Sequence, residues 1–283
     1  MTTPIKATFS SLTPEAKLFK EIIIQKPKWW DLFRNDTELY IEIRKDNYIN
    51  VYFNGNSVAK IHYENDFIAT THQKYLGDPI ARKQDKQGKN VYEYDKIDLF
   101  NFDENTISDM KKIMSNEEII NNKEKLPEKW IQGKMIKENL NYIDSEFAYN
   151  KDYEISNLRI DLIELSNGIL SFVELKRISD SRLRNDSKRN PTPPEIIGQM
   201  NKYFSFIDKY ENELLEHYKI LIGIKYSLGL ISNSNTNFKI NKTPKLIIAD
   251  TYVRRPKERI KRISDIKDLL ANNNIDFEII ICN

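Results

Sequence analysis

Three ionisable residues lie on two short apolar segments separated by the turn Ser166-Asn167-Gly168. Asp161 belongs to the first segment, RIDLIEL, while Glu174 and Lys176 belong to the second, ILSFVELK. Side chains alternate between the two faces of a strand, so Glu174 and Lys176 share one face and a hairpin brings Asp161 beside it. The sequence therefore predicts two carboxylates and one ammonium group converging at the mouth of an apolar hairpin.

This charge arrangement is typical of a divalent metal site. Isolated charges in an apolar surrounding cost several kcal/mol, and two neighbouring carboxylates repel each other unless a cation lies between them. Asp161, Glu174 and the carbonyl between Glu174 and Lys176 would supply oxygen ligands of the kind that Mg²⁺ or Mn²⁺ prefers. Such an ion polarises a phosphate and lowers the pKa of a bound water. Lys176 would orient that water, help to deprotonate it, or neutralise the negative charge that develops on the phosphate.

The spacing of these residues resembles the signature of a known nuclease superfamily. D-x12-E-L-K across two apolar strands is similar to the PD-(D/E)xK pattern, although Ile160 stands where the literal motif has proline. Gln199 to Tyr203 matches the Q-x-x-x-Y motif of the helicase-associated exonuclease branch. Glu128 to Gln132 resembles the E-x-x-x-Q opening helix of Shedu-like defence nucleases.

The resemblance covers residues 127–283 and implies a restriction-endonuclease-like fold, a mixed sheet flanked by helices. It implies a Mg²⁺-dependent deoxyribonuclease. The Shedu-like similarity further implies a role in restriction or anti-phage defence. Asp161, Glu174 and Glu128 would be the metal ligands, with Glu138 and Glu146 as alternatives for the first acid. Lys176, Gln199 and Tyr203 would complete the catalytic set, the last two sharing a helix face toward substrate or the metal-bound water.

The 44 Lys+Arg and 42 Asp+Glu leave a net charge of only +2, so contacts with a phosphate backbone must come from local basic clusters. Two such clusters are candidates. The first cluster follows the catalytic strand: Arg177, Arg182, Arg184, Lys188 and Arg189. The second is a run further along the chain: Arg254, Arg255 and Lys257. The alternative for both is a solvated surface. The aromatic group Trp29, Trp30 and Phe33 is either a stacking platform for bases or core packing.

The elements around the predicted centre divide into three regions. Residues 1–100 read as a small antiparallel β module with a helix around residues 14–24, because several segments alternate and Asn54-Gly55 indicates a hairpin. Residues 101–126 form a charged connector, and residues 127–283 alternate helical and strand patterns. The expected fold class is therefore mixed α/β, with the β-rich module preceding the nuclease-like domain.

Other features of the chain limit the function classes. One cysteine, Cys282, excludes an internal disulfide and a multi-cysteine zinc site. Because no apolar run is long enough for a membrane span and the N-terminus lacks a signal-peptide core, a cytoplasmic protein is expected. DNA is the expected partner, with a homodimer or partner subunit also considered. The alternatives are a non-catalytic nucleic-acid-binding module, an RNA nuclease, or a sensor subunit.

Overall fold

The computed structural model describes residues 11–77, 83–84, 86–88, 90–91, 93–115, 122–149, 158–184 and 194–282. The helices found there are α1 Lys17–Gln25, α2 Lys28–Asn35, α3 Glu104–Met114, α4 Glu128–Glu138, α5 Glu195–Lys209, α6 Glu211–Ser227 and α7 Lys257–Asn272. The strands are β1 Leu39–Arg44, β2 Tyr48–Phe53, β3 Asn56–Tyr63, β4 Phe67–His72, β5 Lys83–Gln84, β6 Asn90–Val91, β7 Tyr94–Ile97, β8 Tyr142–Tyr149, β9 Leu158–Ser166, β10 Ile169–Arg177, β11 Lys239–Ile240, β12 Lys245–Asp250 and β13 Asp276–Ile281.

The first sheet is antiparallel, with the strand order β1-β2-β3-β4-β7. Buried and half-buried residues alternate along β2 and β4, as expected for strands with one face on a core. Asn54 and Gly55, which connect β2 to β3, both have positive φ angles of 48° and 76°. Tight hairpin turns require that conformation, so the local sequence defines this connection. The predicted antiparallel β unit is confirmed.

The second sheet is mixed and carries the predicted chemistry. Its strand order is β13-β12-β10-β9-β8, and β11 pairs with one end of β10. β8, β9 and β10 are antiparallel, whereas β12 runs parallel to both β10 and β13. β10 is therefore central, and six of its nine residues are buried. A mixed α/β fold that follows an antiparallel β unit agrees with the predicted fold class.

One hydrophobic cluster contains residues from both sheets. Ile49 and Ile61 of the first sheet belong to the same cluster as Ile160 and Phe172 of the second. Helix α2 packs into it as well, because its three aromatic residues are all buried: Trp29, Trp30 and Phe33. Of the two interpretations of this aromatic group, core packing is the one that the structure shows.

A buried ion-pair network connects the two sheets. Lys225 on α6 donates to Glu42 of β1 at 2.7 Å and to the carbonyl oxygen of Ile143 in β8 at 2.6 Å. Arg44 of β1 lies 3.6 Å from Asp144 of β8. Burial, with a further contribution from the charge of Glu42, raises the pKa of Asp144 to about 7. Charges from β1, β8 and α6 thus depend on one another for neutralisation.

Helix α2 makes a second contact between distant parts of the chain. The indole nitrogen of Trp30 donates to the carbonyl oxygen of Leu228, immediately after α6, at 3.3 Å. None of the helices in the described ranges combines the length and the apolar character that crossing a membrane would require.

Candidate active site

Asp161 lies where the ladder between β9 and β10 ends. The two strands pair as far as Leu162 and Val173, and there the backbone pairing stops. The amide of Leu175, two residues further along β10, donates instead to the Asp161 Oδ2 atom at 2.9 Å. The carboxylate therefore substitutes for a strand partner, and the strands separate beside it.

Lys176 occupies the space between three carboxylates. The side chains of Lys176 and Glu174 are both only 2% exposed. The ammonium group pairs directly with Glu174 and donates to the carbonyl oxygen of Leu175 at 2.8 Å. It also lies 3.6 Å from Asp161 Oδ2 and 3.8 Å from Glu128 Oε1. The three acids and the lysine chosen from the sequence thus form one cluster.

The electrostatics of this cluster follow from its burial. Burial, together with the charge of Asp161, raises the pKa of Glu174 to about 7 despite the opposing effect of Lys176. Burial lowers the pKa of Lys176, but the surrounding carboxylates outweigh that effect and the pKa is raised. The pKa of Glu128 is also raised, mainly by burial. A further positive charge near these acids would favour their ionised forms.

Helix α5 presents Gln199 and Tyr203 to this cluster from one face. Gln199 Nε2 donates to Glu174 Oε1 at 2.6 Å, and the Tyr203 hydroxyl hydrogen-bonds to Glu174 Oε2 at 2.8 Å. The hydroxyl also contacts the carbonyl oxygen of Arg159. Burial and the charge of Glu174 raise the pKa of Tyr203. Both residues therefore contact the Glu174 carboxylate and also line the cleft, and their contact with substrate or water stays a prediction.

Helix α4 carries Glu128 in its first turn and contacts both sheets. Gln132 Nε2 donates to the carbonyl oxygen of Asp161 at 2.6 Å. The β2–β3 turn also packs against this helix, so closely that a Cβ atom at Gly55 would lie 2.6 Å from the carbonyl oxygen of Lys129. The first sheet thus contributes to the placement of Glu128.

The three candidates for the first acid occupy different places. Glu128 lines the cleft and lies closest to Lys176, as described above. Glu146 also lines the cleft, where it forms an ion pair with Arg159. Glu138 lies at the far end of α4, 3.8 Å from Lys134, and is absent from the described lining of the cleft. The geometry therefore favours Glu128.

A cleft of about 540 Å³ lies over this cluster, and all six predicted catalytic residues line it. Four basic residues line it too: Lys129, Arg159, Arg182 and Lys202. Only Arg182 of these was selected from the sequence. Spacing offered a signal for two of the others, because Arg159 precedes Asp161 by two strand positions and Lys202 follows Gln199 by three helix positions.

The described arginines of the first basic cluster lie in different surroundings. Arg182 in the cleft is held by Asp180, with nitrogen to oxygen distances of 2.7 Å and 3.1 Å. Arg177 points elsewhere and donates to the carbonyl oxygen of Glu124. Arg184 donates to the carbonyl oxygen of Ser179 at 3.3 Å.

The second basic cluster lies outside the cleft lining that the structure describes. Arg255 pairs with the buried Asp250 at 2.8 Å, while Arg254 and Lys257 are exposed before and at the beginning of α7. Lys188 and Arg189, together with residues 190–193 of the Pro-rich loop, lie outside the described residues.

The donor atoms around Lys176 suit a hard divalent cation. In the described part of the chain, no three acidic, histidine or cysteine side chains already surround one point as metal ligands do. The ammonium group of Lys176 lies between Asp161 and Glu174 and pairs with both. The carboxylates of Asp161, Glu174 and Glu128 and the Leu175 carbonyl are nevertheless all oxygen donors, as Mg²⁺ or Mn²⁺ requires. The residues therefore fit such an ion if Lys176 withdraws from between them.

Comparison with known proteins identified no relative. No protein-family model, no curated protein and no solved structure matches this chain. The chemistry of the cleft must therefore be inferred from its own residues.

Proposed function

We propose that this protein is a metal-dependent nuclease that hydrolyses phosphodiester bonds. The observation that carries this proposal is the convergence of Glu128, Asp161, Glu174 and Lys176 in a single cleft. These residues come from α4, β9 and β10, and α5 adds Gln199 and Tyr203. Buried acids around a lysine, beside basic side chains that would attract phosphate, are the groups that metal-assisted phosphodiester hydrolysis needs.

Each residue has a distinct role in the proposed reaction. A bound Mg²⁺ or Mn²⁺ would supply Lewis-acid polarisation of the phosphate and acidify a water molecule. Asp161, Glu174 and Glu128 would hold it through their carboxylate oxygens. Lys176 would orient the attacking water and stabilise negative charge that develops on the phosphate as the water oxygen attacks phosphorus and the leaving oxygen departs.

DNA is the substrate that we propose, and the cytoplasm is the proposed location. The support is the resemblance to PD-(D/E)xK branches that mostly cut DNA, and the Shedu-like E-x-x-x-Q helix suggests restriction or anti-phage defence. These finer points are carried by the resemblance of the motifs.

The test is an incubation of wild type and Lys176→Met with supercoiled plasmid, linear duplex, single-stranded DNA and RNA. Each substrate is tested with Mg²⁺, Mn²⁺ or EDTA, and Lys134→Met on the outer part of α4 is the matched control. We expect metal-dependent cutting by wild type and the control, and none by Lys176→Met. Cutting that persists in Lys176→Met, or that ignores EDTA, would contradict the proposal.

A second candidate is a nucleic-acid-binding module without catalysis. It is favoured by one observation: Lys176 already neutralises the acids and occupies the Leu175 carbonyl. Titration calorimetry with Mn²⁺, beside the cutting assay, separates the candidates. Nucleic-acid binding without turnover, with or without metal binding, would support the module.

A further inference from the structure

We propose that Arg159 is a phosphate-binding residue of the cleft and that Glu146 masks it until a nucleic-acid strand enters. The proposal rests on the proposed function, because it names how the substrate of the same cleft is received. It assigns to Glu146 a role other than that of first acid, and it assigns a function to a basic residue that the motifs do not include.

Arg159 lies close to the acids and faces the cleft. It precedes Asp161 by two positions on β9, so the two side chains project from the same face of the strand. Its backbone carbonyl contacts the Tyr203 hydroxyl, which ties this part of β9 to α5. Its side chain is 53% exposed and lines the cleft. A strand bound near the acids would therefore pass within reach of its guanidinium group.

Glu146 holds Arg159 in an ion pair through an unusual backbone conformation. The neighbours of Glu146 in β8 pair with β9 as Ser145 with Leu162 and Phe147 with Ile160. That register places Glu146 opposite Asp161. Glu146 has a φ of 54°, in the left-handed region that residues with a side chain rarely adopt. Such conformations concentrate at functional sites, and this one lies directly beside the acid cluster.

A second cavity gives the Glu146 carboxylate somewhere to go. This cavity, of about 270 Å³, lies between β1, β2 and β8, and both Glu146 and Arg159 line it as well as the cleft. Lys45 and Tyr48 also line this cavity and provide a cation and a hydroxyl. A phosphate would bind the guanidinium through paired hydrogen bonds while the carboxylate turns toward Lys45. The ion pair would thus be exchanged rather than lost.

The test measures binding of fluorescein-labelled single-stranded and duplex DNA by anisotropy, in EDTA and over a range of salt concentrations. Glu146→Gln should bind about two- to fivefold more tightly, the range that a partly exposed ion pair supports. Arg159→Ala should bind more weakly, and the slope of log affinity against log salt should fall by about one phosphate contact.

The double variant distinguishes unmasking from a simple change of net charge. If Glu146 masks Arg159, the gain from Glu146→Gln disappears when Arg159 is alanine. If the gain remains in the double variant, or if Arg159→Ala changes neither affinity nor salt slope, the proposal is wrong. Glu216→Gln and Lys219→Ala, which alter a half-exposed ion pair on α6 at 2.8 Å, are the matched controls.

Two further measurements separate this proposal from the proposed function. Cutting by wild type is assayed independently, so absence of turnover with the expected binding pattern would overturn only the nuclease assignment. Mn²⁺ affinity of Glu146→Gln is measured by calorimetry. A loss of metal binding there would make Glu146 a ligand and overturn its assignment as a mask.

Discussion

The amide nitrogen of Leu175 donates to Asp161 Oδ2 across 2.9 Å, at the position where β9 and β10 cease to pair. One carboxylate oxygen therefore stabilises the sheet. The other oxygen remains for the chemistry that we propose. Asp161 thus has a structural role through one oxygen and a proposed metal-binding role through its charge. A single substitution can separate the two roles.

Asp161→Asn should fold normally but lose activity. An asparagine oxygen can still accept from Leu175, whereas the negative charge that would attract a metal is gone. We expect thermal unfolding near that of wild type and a fall in cutting of about 100-fold or more. Glu164→Gln, on the same strand, is the control and should retain activity. An active Asp161→Asn would remove Asp161 from the proposed metal ligands.

Tyr203→Phe should remove a hydrogen-bond partner of Glu174 while it keeps the aromatic ring in place. The substitution removes the hydroxyl that lies 2.8 Å from Glu174 Oε2 and leaves that buried oxygen with fewer partners. We expect a loss of about 1 to 3 kcal/mol in the free energy of unfolding, and about tenfold slower turnover in single-turnover assays. Tyr226→Phe, at an exposed position of α6, should change neither quantity.

Gly55→Ala tests whether the first sheet positions helix α4. Alanine at a positive φ is strained wherever it occurs, by about 1 kcal/mol. At Gly55 the new Cβ atom would also lie 2.6 Å from the Lys129 carbonyl, which forces the turn away from the helix. Gly88 has the same φ of 76° and no atom within 4 Å of an added Cβ. Gly55→Ala should therefore unfold at lower urea and cut more slowly than Gly88→Ala, and equal behaviour would contradict this role.

Lys225→Met should be strongly destabilising, because it leaves Glu42 buried without its cation. Loss of one partner of a buried ion pair costs about 3 to 5 kcal/mol. Urea unfolding should show that loss in Lys225→Met and a partial recovery when Glu42→Gln is added. If the double variant is no more stable than Lys225→Met alone, the pair at 2.7 Å does not explain the effect.

His217 should make stability depend on pH in the acid range. Burial lowers its pKa to about 4, so the folded protein keeps a neutral imidazole while the unfolded chain is protonated below about pH 6.5. The stability linked to this residue is fully present above pH 6.5 and is lost as the pH falls toward 4, by roughly 3 kcal/mol.

The measurement is urea unfolding between pH 7 and pH 4 for wild type, His217→Gln and His62→Gln. The curve for His217→Gln should be flatter than that for wild type. His62→Gln, at a half-exposed position, controls for the replacement of a histidine by glutamine. Equal slopes for wild type and His217→Gln would show that the imidazole does not titrate as a buried group.

Local patterns predicted several parts of the fold and of the candidate site. Asn-Gly between alternating segments predicted the β2–β3 turn, and period-two alternation placed Glu174 and Lys176 on one face of β10. The helical pattern of SDIKDLLANN predicts a helix that begins at Ser264, but α7 begins at Lys257. Its first two turns are mainly charged, and Ile260 within them is 55% exposed, so no apolar stripe marked the earlier start.

Contacts between distant segments left no such pattern. Glu42 and Lys225 are separated by 183 positions, and their pairing depends on how α6 packs against both sheets. The four-residue spacing placed Gln199 and Tyr203 on one helix face. It did not reveal that this face meets Glu174, because that depends on the packing of α5 against β10. The same reason explains why Arg182, and not Arg177, lines the cleft.

The positions of the three tryptophans provide the protein with separate optical reporters. Trp29 and Trp30 lie in the core that both sheets share, whereas Trp130 lies on α4, half-buried against a smaller cluster and two residues from both Glu128 and Gln132. Replacing Trp29 and Trp30 with phenylalanine would leave a single indole emission, from the helix that carries Glu128. Its quenching by acrylamide would then follow movements of α4 while the rest of the molecule stays folded.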